Sequence, residues 1–157
     1  MIKGRRAKIG MWNEIANEND LNNFLHMFGS FHDSCIKEFK YLSGAYVECD
    51  LSMYPINNER LLKVIFQRQY NSPSVVEIEF SGLIQLNLFL ENANIYTCEV
   101  LDATMIICRD RIYWCDCGGL SESELKHYHG VMICAAKARW RTADEYLGKK
   151  EVYTAHS

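Results

Sequence analysis

The sequence predicts a mostly-β α+β fold: one or two antiparallel sheets of about seven or eight strands, a sandwich or partly open barrel, with an N-terminal helix. Three observations lead there. Short runs of alternating apolar and polar residues recur at a spacing of about ten residues. One convincing helical stripe stands near the start, and strands and helices do not alternate as they would in a parallel sheet. A chain of 157 residues with 48% apolar side chains is long enough to bury a core of its own, so residues 1–157 are expected to form one domain.

Residues 1–10 have no apolar periodicity and are expected to be a loose basic arm, after which Met11, Trp12 and Ile15 would form one amphipathic turn. Leu21, Phe24, Leu25 and Phe28 fall at i, i+3, i+4 and i+7, which is one face of a helix. Asn19 or Asp20 would cap it, and Gly29 suits a left-handed stop. Strands are expected over Ile36–Leu42 and over the alternating Val47–Met53, whose one face would enter the core. Leu61–Gln69 is the next. Val76–Phe80 and Ile84–Leu88 keep the same two-residue period, with Gly82 as a turn between them. Further strands cover Tyr96–Leu101, Met105–Cys108 and Ile112–Cys115. Ser121 and Glu124 match a capping box for a short helix to His127 or Tyr128. Val131–Arg141 is the last strand or, given Ala135, Ala136 and Ala138, a helix. From Thr142 onward the chain turns polar and is expected on the surface.

Charge and composition exclude several classes of function. Of 17 basic residues against 20 acidic, Lys3, Arg5, Arg6 and Lys8 lie in the first eight positions, which leaves 13 positive against 20 negative in the remainder. A folded body of that sign repels phosphate backbones, so no nucleic-acid binding is expected of it. The arm's four positive charges could touch RNA or anionic lipid. No apolar run reaches the roughly 18 residues of a spanning helix, so no membrane is expected. Seven cysteines, an odd number scattered through apolar segments, point to reduced thiols in a cytoplasm.

Nine glycines form neither a P-loop nor a dinucleotide fingerprint, and no serine elbow is present. No cofactor is expected. Cys115 and Cys117 with His127 and His129 are a zinc-like set of residue types, but one residue between the thiols is too few to wrap an ion. On a helix turning about 100° per residue, the two histidines would also diverge by about 200°. The competing reading is a buried strand end with a histidine near helix carbonyls. His32, Asp33, Ser34 and Cys35 place a base, a carboxylate, a hydroxyl and a thiol in sequence, although neighbours in sequence do not make a catalytic geometry. A helix-to-strand connection with Asp33 or Ser34 bonded to backbone is the simpler reading.

Arg68 continues the apolar face of Leu62, Val64 and Phe66, so its guanidinium must find carbonyls or a carboxylate such as Asp33, Asp102 or Asp116, or reach outward. With Gln69 it would form a polar pocket at the sheet edge. Trp114 and Trp140 are candidate anchors for a protein partner, or core residues. Glu48, Asp50, Glu77 and Glu79 would line a solvated sheet face, with Lys63 near them.

Phe31-His32-Asp33-Ser34, Gln67-Arg68-Gln69 and Tyr113-Trp114-Cys115-Asp116 together resemble a group of small bacterial proteins with no assigned catalytic residue. Some of these are similar in pattern to immunity proteins of polymorphic toxin systems. The resemblance spans about residues 12–141 and implies a β-rich single domain. The leading expectation is a nonenzymatic, protein-binding or immunity-like module whose acidic body neutralises a basic partner. The alternative is a small hydrolase or ligand-binding enzyme with a polar cleft around His32, Asp33, Arg68 and Asp116.

Overall fold

A computed structural model describes residues 9–90 and 98–154. In chain order the elements are β1 (Asn13–Glu14), α1 (Glu18–Met27), β2 (Ser34–Leu42), β3 (Tyr46–Val47), β4 (Met53–Tyr54), β5 (Leu61–Arg68), β6 (Val75–Leu88), β7 (Glu99–Val100), β8 (Thr104–Cys108), β9 (Arg111–Cys115), α2 (Glu122–Leu125) and β10 (Val131–Thr142). Lys3, Arg5, Arg6 and Lys8 of the basic arm lie outside the described residues, as does the start of the strand expected from Tyr96.

One antiparallel sheet runs β7-β2-β5-β6-β10-β9-β8, with β1 added along β10, while β3 and β4 pair only with each other. The sheet is not closed into a barrel. Its outermost strands are nevertheless consecutive in the chain, with only Leu101–Ala103 between them. At about 3.8 Å per Cα step, so short a link forces the sheet to curl until both edges approach. The pairing of β6 with β10 at the sheet's centre is long, from Val131↔Leu88 to Thr142↔Val76.

Alternation decides what lines the inside. Val64 and Phe66 of β5, Val76, Ile78 and Phe80 of β6, Trp114 of β9 and Ile133 of β10 are fully buried in one cluster, closed off by Leu21 and Phe24 of α1 and by Phe28, which follows it. Phe31 sits at its centre, 4.8 Å from the Phe66 ring and 5.6 Å from Trp114, both edge-on. Such ring pairs add about 0.5–1.5 kcal/mol beyond the area they bury.

Several elements differ from the expectation. Asn17, not Asn19 or Asp20, caps α1: its side chain accepts from the Asp20 amide at 2.9 Å, while Asp20 accepts from Ala16 N at 3.0 Å. Asp20 thus serves as the third helical residue reaching back over the N-terminus. Gly29 ends the helix at φ +61°. Instead of an amphipathic turn, residues 13–14 add a strand to β10, with Asn13 opposite Trp140.

Gly82 does not turn the chain. It passes at φ +60° through the middle of one continuous strand, β6, where a Cβ would lie 2.9 Å from that of Ala136. Only a residue without a side chain lets β10 approach there. Val47–Met53 is not a core strand either, because Glu48 to Ser52 form the tip of an exposed hairpin between β3 and β4. Helix α2 has its capping box but stops at Leu125, short of His127. Residues 131–142 are strand, since Ala135 and Ala138 are needed as small core residues beneath α1 and β6.

The outer face of the sheet corrects the reading of a solvated acidic surface. Glu77 is 1% exposed and Glu79 8%. Each meets the residue directly across from it on β10: Arg141 Nη2 lies 2.6 Å from Glu77 and Arg139 Nη2 2.8 Å from Glu79, and Lys63 Nζ stands 3.8 Å from Glu79. Trp12 covers both guanidinium groups, each 4.5 Å from its ring. The C-terminal segment is equally unlike a surface tail. Ala143 is fully buried with Ile65 and Val75, Tyr146, Val152 and Tyr153 pack over them, and the Tyr153 hydroxyl donates to Glu77 at 2.5 Å. Glu38 holds this strap by accepting from Val152 N at 2.7 Å and Tyr153 N at 2.9 Å. No helix among the described residues is long and apolar enough to cross a membrane.

Candidate functional site

The connection from α1 to β2 and the end of β5 meet at one corner. Backbone there is drawn into unusual conformations: Gly29, Ser30, Phe31 and Asp33 have φ of +61°, +52°, +65° and +51°. Burial of Phe31 at the core centre holds the segment in that path, and local strain of this kind gathers where side chains must be aimed. Ser34 opposes Arg68 in the sheet, and Gln69 N donates to Asp33 O at 3.0 Å.

Arg68 is fixed from four sides. Its Nε donates to Pro73 O at 2.8 Å and its Nη2 to Met27 O at 3.4 Å, while the guanidinium lies 4.6 Å from the Phe28 ring centre and 4.9 Å from that of Tyr70. Carbonyls and aromatic faces thus provide what the sequence left open, and none of Asp33, Asp102 or Asp116 forms an ion pair with it. Loss of hydration pulls its pKa below the ordinary arginine value.

His32 Nδ1 lies 2.6 Å from Leu101 O, so that nitrogen carries the proton it donates to the carbonyl, and Nε2 is 3.4 Å from Asp33 Oδ2. His26, His32, Asp33, Arg68, Gln69 and Tyr70 line a cavity of ≈ 510 Å³. Asp116 is elsewhere, which corrects the four-residue cleft. Its carboxylate accepts from the Tyr128 hydroxyl and from Val131 N at 3.2 Å, in the wall of a separate cavity of ≈ 400 Å³ with Lys37, Glu38 and His129. Burial, and the hydrogen bond to Asp116, push the Tyr128 phenol up.

A nucleophile with its base does not form at the corner. Ser34 donates to Phe31 O at 2.6 Å, and no hydroxyl or thiol bonds to an imidazole among the described residues. Four of the thiols are poorly disposed to attack: burial raises the pKa of Cys35, Cys115 and Cys134, and the contact with Glu122 raises that of Cys108. Cys115 is buried and directs its thiol to Cys117 O at 3.2 Å. His127 and His129 are exposed beyond α2, and no three His, Cys, Asp or Glu side chains among the described residues gather as a metal would require.

Of the two candidate anchors, Trp114 has no exposed surface to offer a partner. Trp114 is fully buried, and Trp140 packs half-buried against Phe24 with ring centres 5.0 Å apart. Exposed apolar surface lies instead on the hairpin of β3 and β4. Tyr46, Val47, Leu51, Met53, Tyr54 and Ile56 are between 47% and 83% exposed, and the rings of Tyr46 and Tyr54 stack at 5.0 Å. The alternation Val47, Cys49, Leu51, Met53 suggested a core face. The contrary signal was Asp50, whose carboxylate binds Ser52 N at 2.9 Å and Ser52 Oγ at 2.6 Å and so builds a turn in mid-run. Comparison with family models, curated proteins and solved structures yields no match.

Proposed function

We propose that the chain is a nonenzymatic protein-binding module, immunity-like in the sense of neutralising a basic partner, and that the β3–β4 hairpin is the surface it presents. The observation that carries this reading is the hairpin's composition in its setting. A two-stranded ribbon is marginal by itself, and this one adds six large apolar side chains that nothing among the described residues covers. Contiguous exposed apolar surface of this kind marks interaction sites. Between Tyr41 and Glu59 the acidic residues are Glu48, Asp50 and Glu59 and no lysine or arginine occurs, which suits an apolar groove rimmed by positive charge.

The test compares the native chain with a Tyr46→Ser, Met53→Ser, Tyr54→Ser variant. Both should unfold at nearly the same denaturant concentration, because surface substitutions usually cost within about 0.5 kcal/mol each. Affinity capture should recover a basic protein with the native chain alone, weakening as salt rises. Equal capture by both chains, reproduced with the purified partner, would remove the hairpin from the proposal. A stable monomer that retains no partner would remove the function.

A further inference from the structure

The corner around Arg68 holds two opposite charges that face the same space and do not meet. Asp33, Arg68 and Gln69 line the cavity of ≈ 510 Å³ and also an adjoining one of ≈ 420 Å³ walled by Cys35, Gln67, Glu99 and Leu147. Cavities of this size suit small ligands. No carboxylate lies within 4 Å of the Arg68 guanidinium among the described residues, and no hydrogen bond leaves its Nη1. Nη1 lies above Gly29, where a Cβ would come within 3.2 Å of it.

Were neutralisation the sole requirement, closing an Asp33–Arg68 pair would meet it. Both groups are instead held apart by independent means. Arg68 is clamped by two carbonyls and stacked between Phe28 and Tyr70. Asp33 is set by its left-handed backbone, by Gln69 N on its carbonyl and by His32 Nε2, 3.4 Å from its carboxylate. A fixed guanidinium with a free N–H edge is a carboxylate receptor, and a fixed, half-exposed carboxylate beside it is a receptor for an ammonium group.

We propose that this corner binds a small zwitterion, a free α-amino acid or a close analogue, with its carboxylate on Arg68 and its ammonium on Asp33. The Gln69 amide can serve either end. The adjoining cavity then receives the side chain, with Cys35 and Leu147 against its apolar part and Gln67 and Glu99 elsewhere in the wall. A phosphate dianion fits less well, because Asp33 repels it while one arginine attracts it. This inference is independent of the hairpin reading and stands or falls without it.

Calorimetric titration of the full chain with L-leucine, acetate, methylammonium and inorganic phosphate is the test. L-leucine should bind at one site, and acetate and methylammonium at least about tenfold more weakly, since each keeps only one charge-assisted contact. Asp33→Asn should weaken L-leucine roughly tenfold without weakening acetate, which no longer meets the repulsion of that carboxylate, and this exposed substitution should not disturb folding. Arg68→Lys should abolish binding of both, with a thermal melt to check that the chain is folded. Acetate or phosphate binding as tightly as L-leucine, L-leucine binding unchanged by Asp33→Asn, or no L-leucine binding at all would each overturn the proposal.

Discussion

Glu77 on β6 and Arg141 on β10 stand directly opposite in register, and the guanidinium engages one carboxylate oxygen through both Nε, at 2.8 Å, and Nη2, at 2.6 Å. The other oxygen accepts the Tyr153 hydroxyl. A charge this deep is tolerated only while its partners remain.

Removing one partner therefore costs more than removing both. Arg141→Gln is expected to destabilise the fold by about 3–5 kcal/mol, because it strands the Glu77 carboxylate. Glu77→Leu combined with Arg141→Met and with Tyr153→Phe, which removes the hydroxyl that Glu77 accepts, should recover most of that loss, since apolar side chains need no compensation. Urea unfolding of the two variants measures both. A single-variant cost under about 1 kcal/mol would show that Glu77 escapes to water.

The strap gives alkaline pH a specific effect. Burial, then the hydrogen bond to Glu77, raises the Tyr153 pKa, and Tyr128 is raised in the same direction by burial and Asp116. The fold favours both phenols neutral. Their contribution is complete below the ordinary ionisation near pH 10 and declines as pH climbs beyond it, because the unfolded chain ionises first. Stability of the native chain should fall steeply above about pH 10, and Tyr153→Phe, which forfeits about 1 kcal/mol at neutral pH, should fall less steeply. Parallel slopes would place the phenol in solvent.

What the sequence made legible followed period and punctuation. Ile112–Cys115, Leu61–Gln69 and the Ser121–Glu124 capping box are local patterns with one physical solution, and the helix stop at Gly29 is another. The misreadings came from partners distant in sequence. Glu77 and Glu79 look solvated until Arg139, Arg141 and Tyr153, more than 55 positions away, cover them. Gly82 resembles a turn because its reason, the approach of Ala136, lies on another strand. Arg68 was recognisable as anomalous on an apolar face, and His32, Asp33 and Gln69 do share its cavity. Asp116 was assigned to them by chemistry alone, which carries no information about position.

Trp114 supplies a test of core tolerance. Its ring contacts Phe31 and Phe66, yet Nε1 is buried without a hydrogen-bond partner among the described residues. An unpaired buried N–H costs about 1–3 kcal/mol. Trp114→Phe loses ring area but sheds that penalty, so the net change should stay within about 1–2 kcal/mol, whereas Trp114→Ala should cost about 3–5 kcal/mol. Equal losses in a thermal or urea melt would mean that a water reaches the indole nitrogen.

The hairpin should open independently of the body. Among the described residues β3 and β4 pair only with each other, through Tyr46↔Tyr54 and Val47↔Met53, and the rings of Tyr46 and Tyr54 stack across the pair. Local opening requires little buried area to be exposed, so amide exchange there should be far faster than in β5, β6 and β10, which open only with the global transition. Tyr54→Ala removes the stack, worth about 0.5–1.5 kcal/mol. Exchange across residues 46–54 should then accelerate roughly two- to twelvefold while the global unfolding free energy moves by less than about 0.5 kcal/mol. If the substitution lowers global stability by its full local amount, the ribbon is part of the cooperative core and its apolar residues are not held out for a partner.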